Sequence, residues 1–100
     1  MKLVTAIIRT VSAQKVVNAL KKCCVSGMTF SEVKGVGEQF DLDKPYTIHS
    51  KLEIAVSDDK AESVVNALLE YAHSGLPGDG IITVSPLDYQ LEIRTKDKLV

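Results

Sequence analysis

The pentapeptide VVNAL occurs twice, at residues 16–20 and again at 64–68, and the offset of 48 carries further matches. Ala13 repeats as Ala61 and Ser26-Gly27 as Ser74-Gly75, so eight of fifteen positions are identical. Both copies carry apolar residues at helical spacing. In the first these are Ala13, Val16, Val17, Leu20, Cys23 and Cys24; in the second, Ala61, Val64, Val65, Leu68, Leu69 and Ala72. One hundred residues suffice for one domain, so the two copies must share a single core. Ser12 suits the N-cap of the first helix, and Asp59 with Glu62 forms a capping box for the second. Gly27 and Gly75 stand where a left-handed residue would end each helix.

Strand-like segments flank the helices: 2–9, 28–36, 50–56 and 81–84, followed by 87–94. The order is βαββαβ with an extra C-terminal strand, so the fold class is α+β, a ferredoxin-like split βαβ. The stretch LVTAII puts apolar side chains on both faces of the first strand, and Ile81-Ile82 does the same late in the chain. With both helices on one face, the other face would expose an apolar patch, which marks an interface. An oligomer packed sheet on sheet is expected, and a cyclic homotrimer with three intersubunit clefts satisfies this pattern. Between the second and third strands lie about a dozen irregular residues, GEQFDLDKPYTI, a length that usually serves function.

A net charge of −1 disfavours nucleic-acid binding and a polybasic membrane contact. Arg9 interrupts the apolar N-terminus short of a signal-peptide core, and no run approaches the roughly 18 apolar residues of a spanning helix. A cytoplasmic protein is expected. Cys23 and Cys24 are adjacent, and successive helical residues point about 100° apart, which does not suit a spaced zinc pair. Buried free thiols acting as small hydrophobes are the better reading. His73, in the last turn of the second helix, favours the helix dipole and needs no ligand. No nucleophile–histidine–acid set and no P-loop is visible, so no enzyme is expected.

Three features could meet at one cleft: Gly35-Val36-Gly37, Gly78-Asp79-Gly80, and the tail EIRTKDK with Arg94, Lys96 and Lys98. Glycine-rich turns offer backbone donors and the tail offers positive charge, a combination suited to phosphate. Taken singly, each is more readily a turn or a solvated tail.

Taken together, MKLVTAIIR, GMTFSEVKGVGEQ, SGLPGDGIITVSP and EIRT resemble the PII signal-transduction family in order and nearly in spacing, over almost the whole chain. The resemblance implies a ferredoxin-like homotrimer that binds adenine nucleotides between subunits and signals through a long T-loop to a transporter, enzyme or regulator. Ile7, Thr29, Gly35, Gly37 and Gln39 match positions near the nucleotide. Glu53 matches an acidic residue facing the base, Gly78-Asp79-Gly80 the turn around the phosphates, and Arg94 one of two C-terminal arginines. On this basis residues 1–100 form one PII-like domain, with a shortened T-loop at 37–49, a phosphate-cradling turn at 75–80 and a tail at 92–100.

Four cationic positions of the family are altered here: Glu38, Ile81 and Glu92 replace two arginines and a lysine, and His49 stands for the lysine after the loop. With Arg94 left of that set, AMP or ADP is expected in preference to ATP. The loop is also about nine residues shorter than in the nitrogen regulators. It lacks their uridylylated tyrosine segment, as in carboxysome- and transporter-associated relatives. The expected function is therefore an adenylate sensor, with bicarbonate a candidate second ligand. The expected partner is a membrane transporter or inorganic-carbon uptake. Two alternatives stand beside it: a CutA-like trimeric metal binder, and an interaction module that has lost nucleotide binding.

Overall fold

The computed structural model describes residues 1–23, 25, 27–37 and 45–99. The elements run β1 (Lys2–Arg9), α1 (Ala13–Cys23), β2 (Thr29–Gly35), β3 (Thr47–Val56), α2 (Asp58–Ala72), β4 (Gly80–Pro86), β5 (Gln90–Leu91) and β6 (Lys98–Leu99). A 3₁₀ turn over Thr10–Ser12 leads into α1. The sheet has the order β2-β3-β1-β4 with antiparallel neighbours, which is the expected ferredoxin-like arrangement.

Alternation along the central strands sorts their side chains. Val4, Ala6 and Ile8 of β1 and Leu52, Ile54 and Val56 of β3 are buried together with Val16, Val17 and Leu20 of α1 and Val64, Leu68 and Ala72 of α2. Both repeat copies thus bury the same helical stripe on one face of one sheet. Each fully buried Leu or Ile contributes about 1.5–3 kcal/mol. Register places Leu3, Ile7, Ala55 and Ile81 on the opposite face, beside Thr5, Thr83, Lys51 and Glu53. Ile82 packs against the core while Ile81 is 60% exposed, so the Ile81-Ile82 pair divides between the faces as expected.

Several local expectations are revised. β3 starts at Thr47 rather than residue 50, because Thr47, Ile48 and His49 pair with Gly35, Lys34 and Val33. His49 therefore lies in a strand, while residues 38–44 of the long loop, including Gln39, lie outside the described residues. Ser57 rather than Asp59 is the N-cap of α2; its extended backbone starts the helix, and Asp58 and Asp59 fall in the first turn. The Ser57 hydroxyl beside Asp59 holds that carboxyl below its ordinary range. Gly27 does not have a positive φ. Gly75 does (+82°), but it follows an extended His73 and shapes the loop after α2 rather than capping the helix. Cys23 is exposed at the end of α1 and disulfide-bonded, not a buried free thiol; Cys24 lies outside the described residues.

The extra C-terminal strand is shorter than residues 87–94 and stands outside the main sheet. Gln90–Leu91 pairs with Lys98–Leu99 as a separate ribbon. The chain reverses through residues 93–95, with Lys96 at φ 63° and its N–H donated to the Glu92 carbonyl at 2.8 Å. Tyr89, Leu91 and Ile93 have strand-like alternation but remain exposed, although Lys98 of the ribbon lies over the Tyr89 ring, 4.3 Å from its centroid.

Candidate functional site

The turn between α2 and β4 is organised around the Asp79 carboxylate. Its Oδ2 accepts the backbone N–H of Ser74 at 2.8 Å and of Gly75 at 3.0 Å. Its Oδ1 accepts the Ser74 hydroxyl and, at 3.1 Å, Arg9 Nε. A second guanidinium nitrogen, Nη2, donates to the Pro77 carbonyl, and Ser74 Oγ accepts the Leu76 N–H at 3.2 Å. One half-buried acid thus ties residues 74–79 to the end of β1. The Ser74 hydroxyl and N–H, then Arg9 and the Gly75 N–H, hold its carboxyl far below the usual carboxylate range. Asp79 stays anionic, and its charge is neutralised inside the loop rather than facing outward.

Glycine is required at two positions here. Gly78 sits at φ +93° and Gly80 at +107°. A Cβ on Gly80 would lie 1.7 Å from the Ile7 carbonyl oxygen and 2.8 Å from its carbon. The turn is consequently pressed onto the backbone of β1, where Ile8 pairs with Gly80 and Ile7 with Ile81.

The other glycine turn reaches the same end of the sheet. Thr47 Oγ1 donates to the Gly35 carbonyl at 3.4 Å and lies 3.2 Å from His49 Nδ1. His49 Nε2 lies 3.4 Å from the Gly78 carbonyl oxygen. A continuous chain of contacts therefore links Gly35, Thr47, His49 and Gly78 across three segments of the fold. Gly37 follows two residues later, exposed and with open space where a side chain would stand.

Thr29 and Glu53 pair across β2 and β3, on the sheet face that also carries Ile7. Lys51 on the same face lies 3.7 Å from Glu53. A depression lined by Leu3, Thr29, Glu53, Ala55 and Gln90 adjoins this pair. Arg94 does not join the two turns: it is 83% exposed on the tail ribbon, with its guanidinium 3.4 Å from Glu92. Of the three features expected to meet, one protomer brings together two and holds the third at the far end of the strands. Among the described residues, no group of three or more His, Cys, Asp or Glu side chains could hold a metal ion.

Sequence reasoning missed Arg9, Ser74 and Thr47. Arg9 carried no local signal: the pairing of β1 with β4 brings it to Asp79, 70 residues away. Ser74 was visible as part of the repeated Ser-Gly, where it was read only as a helix end.

A family model, Nitrogen regulatory protein P-II, matches residues 1–97. The P-II protein of Nostoc punctiforme is 37% identical over 107 residues, covering 98% of this chain and 96% of that protein. P-II 2 of Methanothermobacter thermautotrophicus is 36% identical, covering 95% and 90%. The P-II homolog of Arabidopsis thaliana is 37% identical over 95% of this chain, which spans 54% of that longer protein. Among solved structures, Arabidopsis thaliana PII bound to citrate is similar with a TM-score of 0.85 and 37% identity, over 97% of this chain and 83% of that one.

Proposed function

The chain belongs to the nitrogen regulatory protein P-II family, whose members are signal transducers, and we propose that it senses an adenine nucleotide and relays that state to a protein partner. The observation carrying this reading is the prebuilt turn Gly78-Asp79-Gly80, seated on β1 and joined to the Gly35 turn through Thr47 and His49. Backbone donors held at such a turn recognise phosphate, and an internally neutralised Asp79 does not repel it. Thr29, Ile7 and Glu53 offer a neighbouring surface for the base, with Gly37 on the loop side.

The placement of Arg94 favours a site shared between subunits. Its ribbon exposes Tyr89, Leu91 and Ile93, and the open sheet face exposes Ile81. A homotrimer that packs these surfaces together would bring the tail of one protomer towards the turns of the next. Charge favours AMP or ADP over ATP. Ile81 offers no cation, and Glu92 beside Arg94 offsets the remaining one. On this reading the partner is a membrane transporter or a component of inorganic-carbon uptake, and bicarbonate is a candidate second ligand.

Calorimetric titration with AMP, ADP and ATP, each with and without bicarbonate, tests this reading. The expected result is binding that weakens from ADP or AMP to ATP. Silence from all three would instead make the protein an interaction module without nucleotide.

A further inference from the structure

We infer that His49 is a positioning residue that links the Gly78 turn to the stem of the long loop, and that its protonation decides whether the link is complete. The inference follows from counting protons. The Gly35 and Gly78 carbonyl oxygens can only accept hydrogen bonds. Thr47 has one hydroxyl proton, and its contact with the Gly35 carbonyl at 3.4 Å uses it. The 3.2 Å contact between Thr47 Oγ1 and His49 Nδ1 then requires the proton on Nδ1. The 3.4 Å contact between Nε2 and the Gly78 carbonyl requires another on Nε2. Both ring nitrogens donate only in the imidazolium form. All three hydrogen bonds therefore coexist only when His49 is protonated.

Loss of that proton has a defined consequence. If Nε2 keeps its hydrogen for Gly78, Nδ1 becomes an acceptor. The Thr47 hydroxyl then turns to it and releases the Gly35 carbonyl. The Thr47–His49 bond reverses direction, the Gly35 carbonyl loses its side-chain donor, and three bonds become two, although Gly35 and Thr47 stay paired in the sheet. Histidine is the side chain that can present either one or two ring N–H donors.

The charged surroundings of His49, among the described residues, come from every neighbouring element. Arg9 of β1 lies opposite it in register but is paired with Asp79 of the turn. Lys51 and Glu53 follow on the same face of β3 and pair with each other. Lys34 of β2 stacks over the Tyr46 ring, 4.6 Å from its centroid. His73, after α2, lies near Gly75 on the same loop as Gly78. The use of this link in signalling rests on the adenylate reading; the link itself does not.

The test is an NMR pH series on the ligand-free protein, from about pH 5.5 to about 8.5, a range that spans ordinary histidine titration. The amides of Val36 and Asp79 report on the peptide groups containing the Gly35 and Gly78 carbonyls. In the wild type both signals should titrate with the midpoint of the His49 ring protons. Thr47→Val should abolish the titration at Val36 and keep it at Asp79. His49→Gln should abolish both. The inference is overturned if neither amide titrates, if their midpoints differ in the wild type, or if either substituted protein keeps a titration it should lose. Because Thr47 is exposed, its variant retains the test should His49→Gln fail to fold. A protein that binds no adenylate yet shows the shared titration would refute the ligand reading and leave this link standing.

Discussion

Replacing Gly80 with alanine challenges the description of the site at its most constrained atom. The new Cβ would stand 1.7 Å from the Ile7 carbonyl oxygen and 3.2 Å from the Ile8 Cα, both backbone atoms of a central strand. No rotamer change relieves such an overlap, so β1 and β4 must separate where Ile8 pairs with Gly80 and Ile7 with Ile81. At φ +107° the alanine also adopts backbone angles that cost an L-residue roughly 1–3 kcal/mol. Losing one or two ladder hydrogen bonds adds about 0.5–1.5 kcal/mol for each. The sum is a destabilisation of about 1.5–6 kcal/mol. For a domain of this size, 1 kcal/mol shifts Tm by about 4–8 °C, so thermal unfolding should occur at least about 6 °C lower. The comparison must be made at equal protein concentration, because an oligomer's Tm depends on it. Gly37→Ala is the control: open space surrounds that position, and its effect should stay within about 0.5 kcal/mol. A Gly80→Ala protein melting within about 2 °C of wild type would refute the close seating of the turn on β1.

Acidification probes the Asp79 carboxylate. Its folded-state pKa lies below the unfolded value of about 3.9, so its stabilising contribution is complete above that value and is lost as pH falls towards the folded one. Hydrogen exchange at Ser74 and Gly75, corrected for intrinsic rates, should therefore show constant protection from about pH 8 to about pH 5 and a loss beginning below about pH 4. Asp79→Asn should raise exchange at these two amides at every pH and weaken ADP binding in the same calorimetric assay. Ile81→Lys adds a cation on the exposed face beside Ile7 and should strengthen ATP binding more than AMP binding, about tenfold for one well-placed charge-assisted contact. Glu92→Gln releases Arg94 from its ion pair and should shift nucleotide preference in the same direction, whereas Arg94→Ala should weaken adenylate binding without lowering Tm, since the side chain is exposed.

The fold was legible because burial follows the repeat. Val16, Val17 and Leu20 occupy in α1 the positions that Val64, Val65 and Leu68 occupy in α2, and all but Val65 are buried. Strand β1 was legible to the residue, since eight alternating positions leave no other assignment. What escaped was decided by contacts between segments distant in sequence. Thr47 and Ile48 read as loop residues because they follow a proline and a tyrosine; pairing with Gly35 and Lys34 makes them strand. Conversely, Leu87, Tyr89, Leu91 and Ile93 alternate like a strand, yet of the described residues 87–94 only Gln90–Leu91 is strand, paired with Lys98–Leu99 of the tail. Alternation reports a face that can be covered, not which chain covers it.

The site shows the same division between local and long-range information. Gly78 and Gly80 could be singled out because positive φ is a local demand, and both meet it. Asp79 was chosen with them for its place between two glycines, but its role proves to be inward. It organises Ser74 and Gly75 and takes up Arg9 from a strand 70 residues away. A turn that carried an unneutralised acid at its centre would repel any phosphate approaching its N–H groups. Arg9 therefore bears on anion binding without needing to touch the anion, and no spacing rule would have paired it with Asp79. The same reasoning reverses the weight given to the tail. Arg94 looks like the principal cation in the sequence, but beside Glu92 its charge is largely offset. On the adenylate reading the two ion pairs act in opposite directions: the one at the turn removes a negative charge that would repel phosphate, and the one on the tail offsets a positive charge that would attract it.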